Sequence, residues 1–225
     1  MGNKNFQNGF ALGYALRERE SAGYAENYIK INKYTTGLQA AFRNAELPEE
    51  LTLDLSDAQV TTLQQAFQSS TYQRDLIKLT IIGDTSTVTN FSYFVYGRAL
   101  VTTIDGDIDF TAAANVGNMF TGTKIANAAF IPNTLTVNFD ISNLSTPSDD
   151  MLISIANCLS NTTRATLSLS GTSYEAVSAI YGTVDTDTMI FTRTDDPTDV
   201  PLVDFISAVD AQSQPIYKGW QLTHS

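Results

Sequence analysis

The chain has 225 residues, 13 Lys/Arg against 24 Asp/Glu, and one cysteine. At that size it buries roughly 70% of its unfolded surface and needs neither disulfide nor metal to fold; one cysteine also excludes an intramolecular disulfide and a multi-cysteine zinc site. The formal charge of −11 falls entirely on residues 51–225, since residues 1–50 balance six basic against six acidic side chains. Such a body repels phosphate backbones, which argues against nucleic-acid binding.

Residues 1–36 form an N-terminal segment distinct from the remainder of the chain. The spacing predicts a helix over residues 4–28, with Phe6, Phe10 and Tyr14 at i, i+4 and i+8 and a charged continuation through Arg17, Glu18, Arg19 and Glu20. Gly9, Gly13 and Gly23 each weaken that helix by about 1 kcal/mol relative to alanine. An aromatic stripe with so little intrinsic stability needs something to pack on, either the first repeat or a partner. The apolar stretch Gly9–Leu16 is short, interrupted by glycine and followed by charge, so it reads as helix and not as a secretory signal. No run in the chain approaches the ~18 apolar residues of a membrane span. Residues 29–38 read as a joint.

From residue 39 a phrase recurs: Gln39-Ala40-Ala41-Phe42, Gln64-Gln65-Ala66-Phe67, Ser92-Tyr93-Phe94-Val95 and Asn118-Met119-Phe120. The marker aromatics Phe42, Phe67, Phe94 and Phe120 are 25, 27 and 26 residues apart. A steady period of that size marks a solenoid, whose units bury their apolar faces against their neighbours, and it assigns these four rings to a stacked repeat core. Strands are predicted at Leu51–Leu55, Leu76–Ile82, Leu100–Ile104 continuing to Phe110, and Leu135–Ile141. Leu51-Thr52-Leu53-Asp54-Leu55 alternates with period two, as a half-buried strand does. Strands joined by a helical or irregular turn of this length run parallel. The fold class is thus an α/β repeat, a leucine-rich-repeat-like solenoid with a parallel strand ladder and short helices, over residues 37–225, preceded by the N-terminal helix. Residues 39–143 hold the repeats and 144–225 the C-terminal capping units.

In the capping region, Ser148 with Asp149 and Asp150 signals a helix start, and Leu152, Ile155, Ala156 and Leu159 mark its inner face. Cys158 reads as a core thiol. A strand at Ala165–Leu169 comes next, then a helix carrying Tyr174, Val177 and Ile180, and a strand at Met189–Thr192. The acidic loop Asp195–Asp199 leads to a helix with Leu202, Phe205, Ile206 and Val209 inside. Trp220–Leu222 closes the chain as a strand.

These phrases resemble the BspA-type leucine-rich repeats of bacterial surface and phage proteins. The resemblance is carried by Phe94-Val95-Tyr96-Gly97-Arg98-Ala99-Leu100, by Ile108-Asp109-Phe110, and by Asn115 through Gly122. Val88-Thr89-Asn90-Phe91 echoes the family's "VTNM". The C-terminal part is similar to the closing unit of phage-encoded members at Pro147–Ile153, Ala165–Ser170 and Lys218–Thr223. The family's cysteine is absent; Arg98 and Thr123 stand in its places. The resemblance implies a scaffold, with phage members acting as virion or tail-region structural proteins and cellular members as exported surface proteins.

Chemistry has few residues to use. The one histidine, His224, lies beside the terminus, where chains commonly fray, so catalytic triads and His-rich metal sites are excluded or nearly so. No phosphate-binding glycine loop is present. No catalytic or cofactor-binding residue is assigned, and no cofactor. Asp105, Asp107 and Asp109 form the densest acidic group. A solvated strand edge is the favoured reading, against a calcium site of low affinity or a hydrolase carboxylate pair. Tyr72, Tyr93, Tyr96, Tyr174 and Tyr181 are candidates for exposed contact. The expectation is a non-enzymatic phage virion structural or accessory protein, located in the particle. Its N-terminal segment would dock on other virion proteins through Phe6, Phe10 and Tyr14, and its repeats would face a host-surface protein or glycan; a homo-oligomer stays open. The alternative is a bacterial cell-surface adhesin or a protein-binding module of the same family.

Overall fold

The computed structural model describes residues 27–70, 76–144, 147–160 and 165–170, and five short stretches plus a final strand between 183 and 224. The expected N-terminal helix, with Phe6, Phe10 and Tyr14, lies almost wholly outside the described residues.

Five parallel strands, one per coil, make the central sheet in sequence order: β1 (Tyr28–Lys30), β2 (Glu50–Asp54), β3 (Lys78–Ile82), β4 (Thr103–Ile108) and β5 (Asn127–Phe130). Parallel order without crossover means each coil lies directly on the one before, as in a solenoid. Inward rungs are apolar and in register, Ile29 on Leu53 on Ile81, and Leu51 on Leu79 on Ile104 on Ala128. All seven are buried, and each fully buried leucine or isoleucine contributes about 1.5–3 kcal/mol. The stack begins before residue 37: Tyr28–Lys30, expected as helix end and joint, is the first strand.

Strands β2, β3 and β4 each lead into a polar corner made by a short side chain that accepts from the N–H two residues on. Asp54 Oδ1 accepts from Ser56 N–H at 2.8 Å, Asp84 Oδ1 from Ser86 at 2.7 Å and Asp109 Oδ1 from Thr111 at 2.7 Å. A second corner repeats the device at Asn90, which accepts from Ser92 at 2.9 Å, and at Asn115, which accepts from Gly117 at 3.0 Å. Asx turns of this kind satisfy backbone donors that a bend would otherwise orphan.

The return limb of each coil, which carries the marker aromatic, is not helical. Its N–H groups alternate between two partners. Ala41, Arg43 and Ala45 donate three residues back within their own turn, whereas Ala40, Phe42 and Asn44 donate to Gln64, Ala66 and Gln68 of the next coil. The second and third coils repeat the scheme, with Phe67 N–H on Phe94 O at 2.9 Å and Val95 N–H on Met119 O at 3.1 Å. The alternation requires a left-handed residue at the same place in each limb: Ala40, Gln65, Tyr93 and Asn118 have φ between 53° and 57°. A helix would satisfy the limb internally; this turn ladder bonds it sideways to its neighbours.

The two ladders enclose one core. Phe42 stacks on Phe67 at 4.9 Å, and Phe67 meets Phe94 edge-on at 5.5 Å. Phe120 packs instead against Phe130 and Phe139, at 6.4 and 6.0 Å.

The stack stops at α1 (Asp149–Cys158), the one α-helix among the described residues. Ser148 caps it by accepting from Met151 N–H at 3.2 Å, with Asp149 and Asp150 in the first turn. Met151, Leu152, Ile155 and Cys158 are buried. The helix lies against β5, whose Phe130 N–H donates to Ser154 Oγ at 2.9 Å. An exposed sheet edge is thereby closed.

The strand expected over Leu135–Ile141 is divided. Leu135 makes an isolated bridge to Leu159, and only Phe139–Asp140 (β6) is strand. The chain turns between β5 and β6 at Pro132 and the left-handed Asn133, φ 59°. β6 pairs with β7 (Thr166–Leu169), and β7 with the last strand, β13 (Trp220–His224), both parallel. β12 (Pro215–Tyr217) and β11 (Ala208–Val209) complete that sheet antiparallel. Val209, expected in a helix, is therefore in a strand, and His224 is held opposite Leu169. β8 (Thr183–Asp185), β9 (Ile190–Thr192) and β10 (Val200–Pro201) form an antiparallel sheet of three. The expected helix at Tyr174–Ile180 and the loop at 195–199 lie outside the described residues.

Candidate functional site

The outward face of β1–β5 is the surface that the repeat rule leaves free to vary. Parallel register sets its side chains in rungs: Tyr28, Thr52, Thr80 and Asp105 in one, Glu50, Lys78, Thr103 and Asn127 in the next. Threonine suits such positions because its branched Cβ fits a pleated, half-buried surface. Ile82, at the end of β3, is 41% exposed and adds a large apolar side chain beside these rungs.

Charges on this face are organised between coils. Lys30 Nζ lies 2.8 Å from Asp57, tying the first coil to the second, and Lys78 Nζ lies 2.9 Å from Asp105, tying the third to the fourth. The hydrogen bond and charge of Lys78 hold the Asp105 carboxyl below its ordinary range, and Asp105 in turn raises Lys78. Both pairs are open to water, where such contacts add little stability.

Asp54 differs. It is only 4% exposed, and its carboxylate accepts from the Tyr28 hydroxyl and from Ser56 N–H. Burial pushes its pKa up, but the hydrogen bonds from Ser56 and Tyr28, with the charge of Lys30, outweigh burial and hold it below the usual range. Sequence reading missed this latch, because an aspartate in an alternating strand reads as solvated. The available signal was the recurrence of Asp-x-Ser, at Asp54, Asp84 and Asp140.

The acidic triplet does not converge. Asp105 is engaged with Lys78, Asp109 is turned into its corner, and Asp107 is exposed. Between Asp105 and Asp107 the ladder to β5 slips in a bulge at Gly106, φ 102°. A Cβ there would sit 2.2 Å from Ile81 O, so only glycine fits. Among the described residues no three His, Cys, Asp or Glu side chains are grouped to hold a metal ion, and no helix is long and apolar enough to cross a membrane.

Phe42, Phe67, Phe94 and Phe120 are all buried and pack within the core between coils. Tyr93 and Tyr96 are half-buried on the turn ladder and meet edge-to-face at 5.4 Å. Tyr72, Tyr174 and Tyr181 lie outside the described residues. Arg98, one of the residues standing where the resembled family has cysteine, is completely buried.

A scan of protein-family models and searches of curated proteins and of solved structures found no match to this chain.

Proposed function

We propose that the chain is a non-enzymatic display scaffold of the leucine-rich-repeat kind, serving as a virion structural or accessory protein. The N-terminal segment couples it to other virion proteins, and the outward face of β1–β5 meets a host-surface protein or glycan. The observation that carries this reading is the division of labour within each coil. Aromatic and aliphatic side chains are spent on the core, corner aspartates and asparagines on backbone donors. Half-buried threonines and a few charges stand in register on the outward face of the sheet. A surface of that construction suits recognition of another surface. The virion assignment rests on the resemblance of these phrases to phage-encoded repeats.

Immunogold labelling with antibody to the full chain, applied to a lysate of the source strain, tests the assignment. Gold at a fixed point on particles is the expected result. Gold on cell envelopes beside bare particles would overturn it in favour of a cell-surface adhesin.

A further inference from the structure

In a solenoid each coil ordinarily touches only its neighbours, so coils can open one at a time from an end. Arg98 breaks that rule. It ends the return limb of the third coil, and its guanidinium is wholly buried. Nε donates to Phe67 O in the second coil at 2.7 Å, and one terminal nitrogen donates to Phe42 O at 3.1 Å and Ala45 O at 3.0 Å in the first. One side chain therefore spans two coil spacings, roughly 10 Å at the ~4.8 Å between adjacent strands. Arginine suits this use because its planar fork carries five donors on a long stem and stays charged when buried.

The neighbouring backbone serves the same end. Gly97 is left-handed, φ 74°, and a Cβ there would lie 2.1 Å from Ser69 O. Only glycine lets the third limb close on the second at the point where the guanidinium enters. Removing the first coil alone would strip two carbonyl acceptors from a buried cation, a cost beyond that of an ordinary hydrogen bond.

We propose that Arg98 is a clamp that makes the first three coils a single opening unit, so that the coil next to the N-terminal segment cannot peel away alone. The clamp belongs to the stack itself and holds wherever the protein acts. If the N-terminal segment is the attachment point, tension entering the first coil is shared by three.

Native-state hydrogen exchange on the full chain, followed against low concentrations of urea, tests it. In the wild type the amides of Phe42, Phe67 and Val95, one per coil, should exchange with a common urea dependence, because they open together. Arg98→Lys keeps the charge but cannot span two coils. Phe42 should then exchange about tenfold faster or more than Val95, with a shallower dependence of its own. Phe67→Leu serves as control, lowering stability while leaving the dependence shared. A separate, shallow dependence for Phe42 already in the wild type would overturn the clamp, and that reading needs no variant to fold. A shared dependence that survives Arg98→Lys would overturn it equally.

Discussion

The two sides of each coil solve the same problem with different freedom. On the sheet side, backbone pairing is regular apart from the bulge at Gly106, and it is made by the main chain, so the outward Thr52, Thr80, Thr103 and Asn127 are not required for it. On the turn-ladder side nearly every position is committed. The limb needs a left-handed residue at Ala40, Gln65, Tyr93 and Asn118, an aromatic ring inside, and alternate N–H groups aimed at the next coil. The ladder thus restricts the residue at most of its positions, whereas the sheet restricts only its inward rungs and leaves the outward face open to recognition.

The contrast can be broken most forcefully at Phe67. Its ring is fully buried between Phe42 and Phe94, so Phe67→Ala should cost about 3–5 kcal/mol in urea denaturation. Gly106→Ala attacks the sheet side where it departs from regularity. With φ at 102° and Ile81 O in the way, a loss of roughly 2 kcal/mol is expected, read from the same denaturation midpoints. A loss as small as that of an ordinary outward substitution would mean the bulge relaxes freely.

Asp54 sharpens the comparison through pH. Its carboxyl titrates lower in the folded chain than in the unfolded one. Its contribution is therefore complete above the ordinary carboxylate range and is lost as pH falls through that range toward the folded value. Asp54→Asn should lower stability at neutral pH and flatten its fall on acidification, measured by urea midpoints across pH. An unchanged acid limb would place the dependence on other carboxylates. The smallest effect belongs to Thr80→Ala on the outward face, within about 0.5 kcal/mol. A larger loss there would mean that the face also holds the fold.

Legibility in the sequence divides along the same line. The strands near Leu51, Leu76 and Leu100 were legible because alternation reports a half-buried strand directly, and Ser148-Asp149-Asp150 announced α1. β5 was missed because Asn127-Ala128-Ala129-Phe130 is short and its inward residues include a small alanine, while the stronger apolar signal of Leu135–Ile141 drew the assignment downstream. The turn ladder was illegible. Alanine, glutamine and tyrosine seldom adopt φ above zero, so nothing in their identities announces a conformation that only bonds from the next coil sustain. Arg98 departs from the resembled phrase, but its partners lie as far as 56 residues away, beyond any local pattern. Val209 misled in the opposite way, since helical spacing to Leu202 arose in a stretch whose end is strand.

The stop at α1 bears on how such a chain can evolve in length. Equivalent rung positions are 24 residues apart from Ile29 to Leu53, 28 from Leu53 to Ile81 and 24 from Ile104 to Ala128. Duplication of one such cassette lengthens the molecule by a coil and leaves its terminator untouched. Not every splice point is equal, however. A coil inserted between β4 and β5 leaves Arg98 its acceptors, whereas one inserted between β2 and β3 carries Phe42 and Ala45 out of its reach. Growth by duplication is thus steered toward the C-terminal half, and the first three coils form the fixed root from which a longer stack would extend.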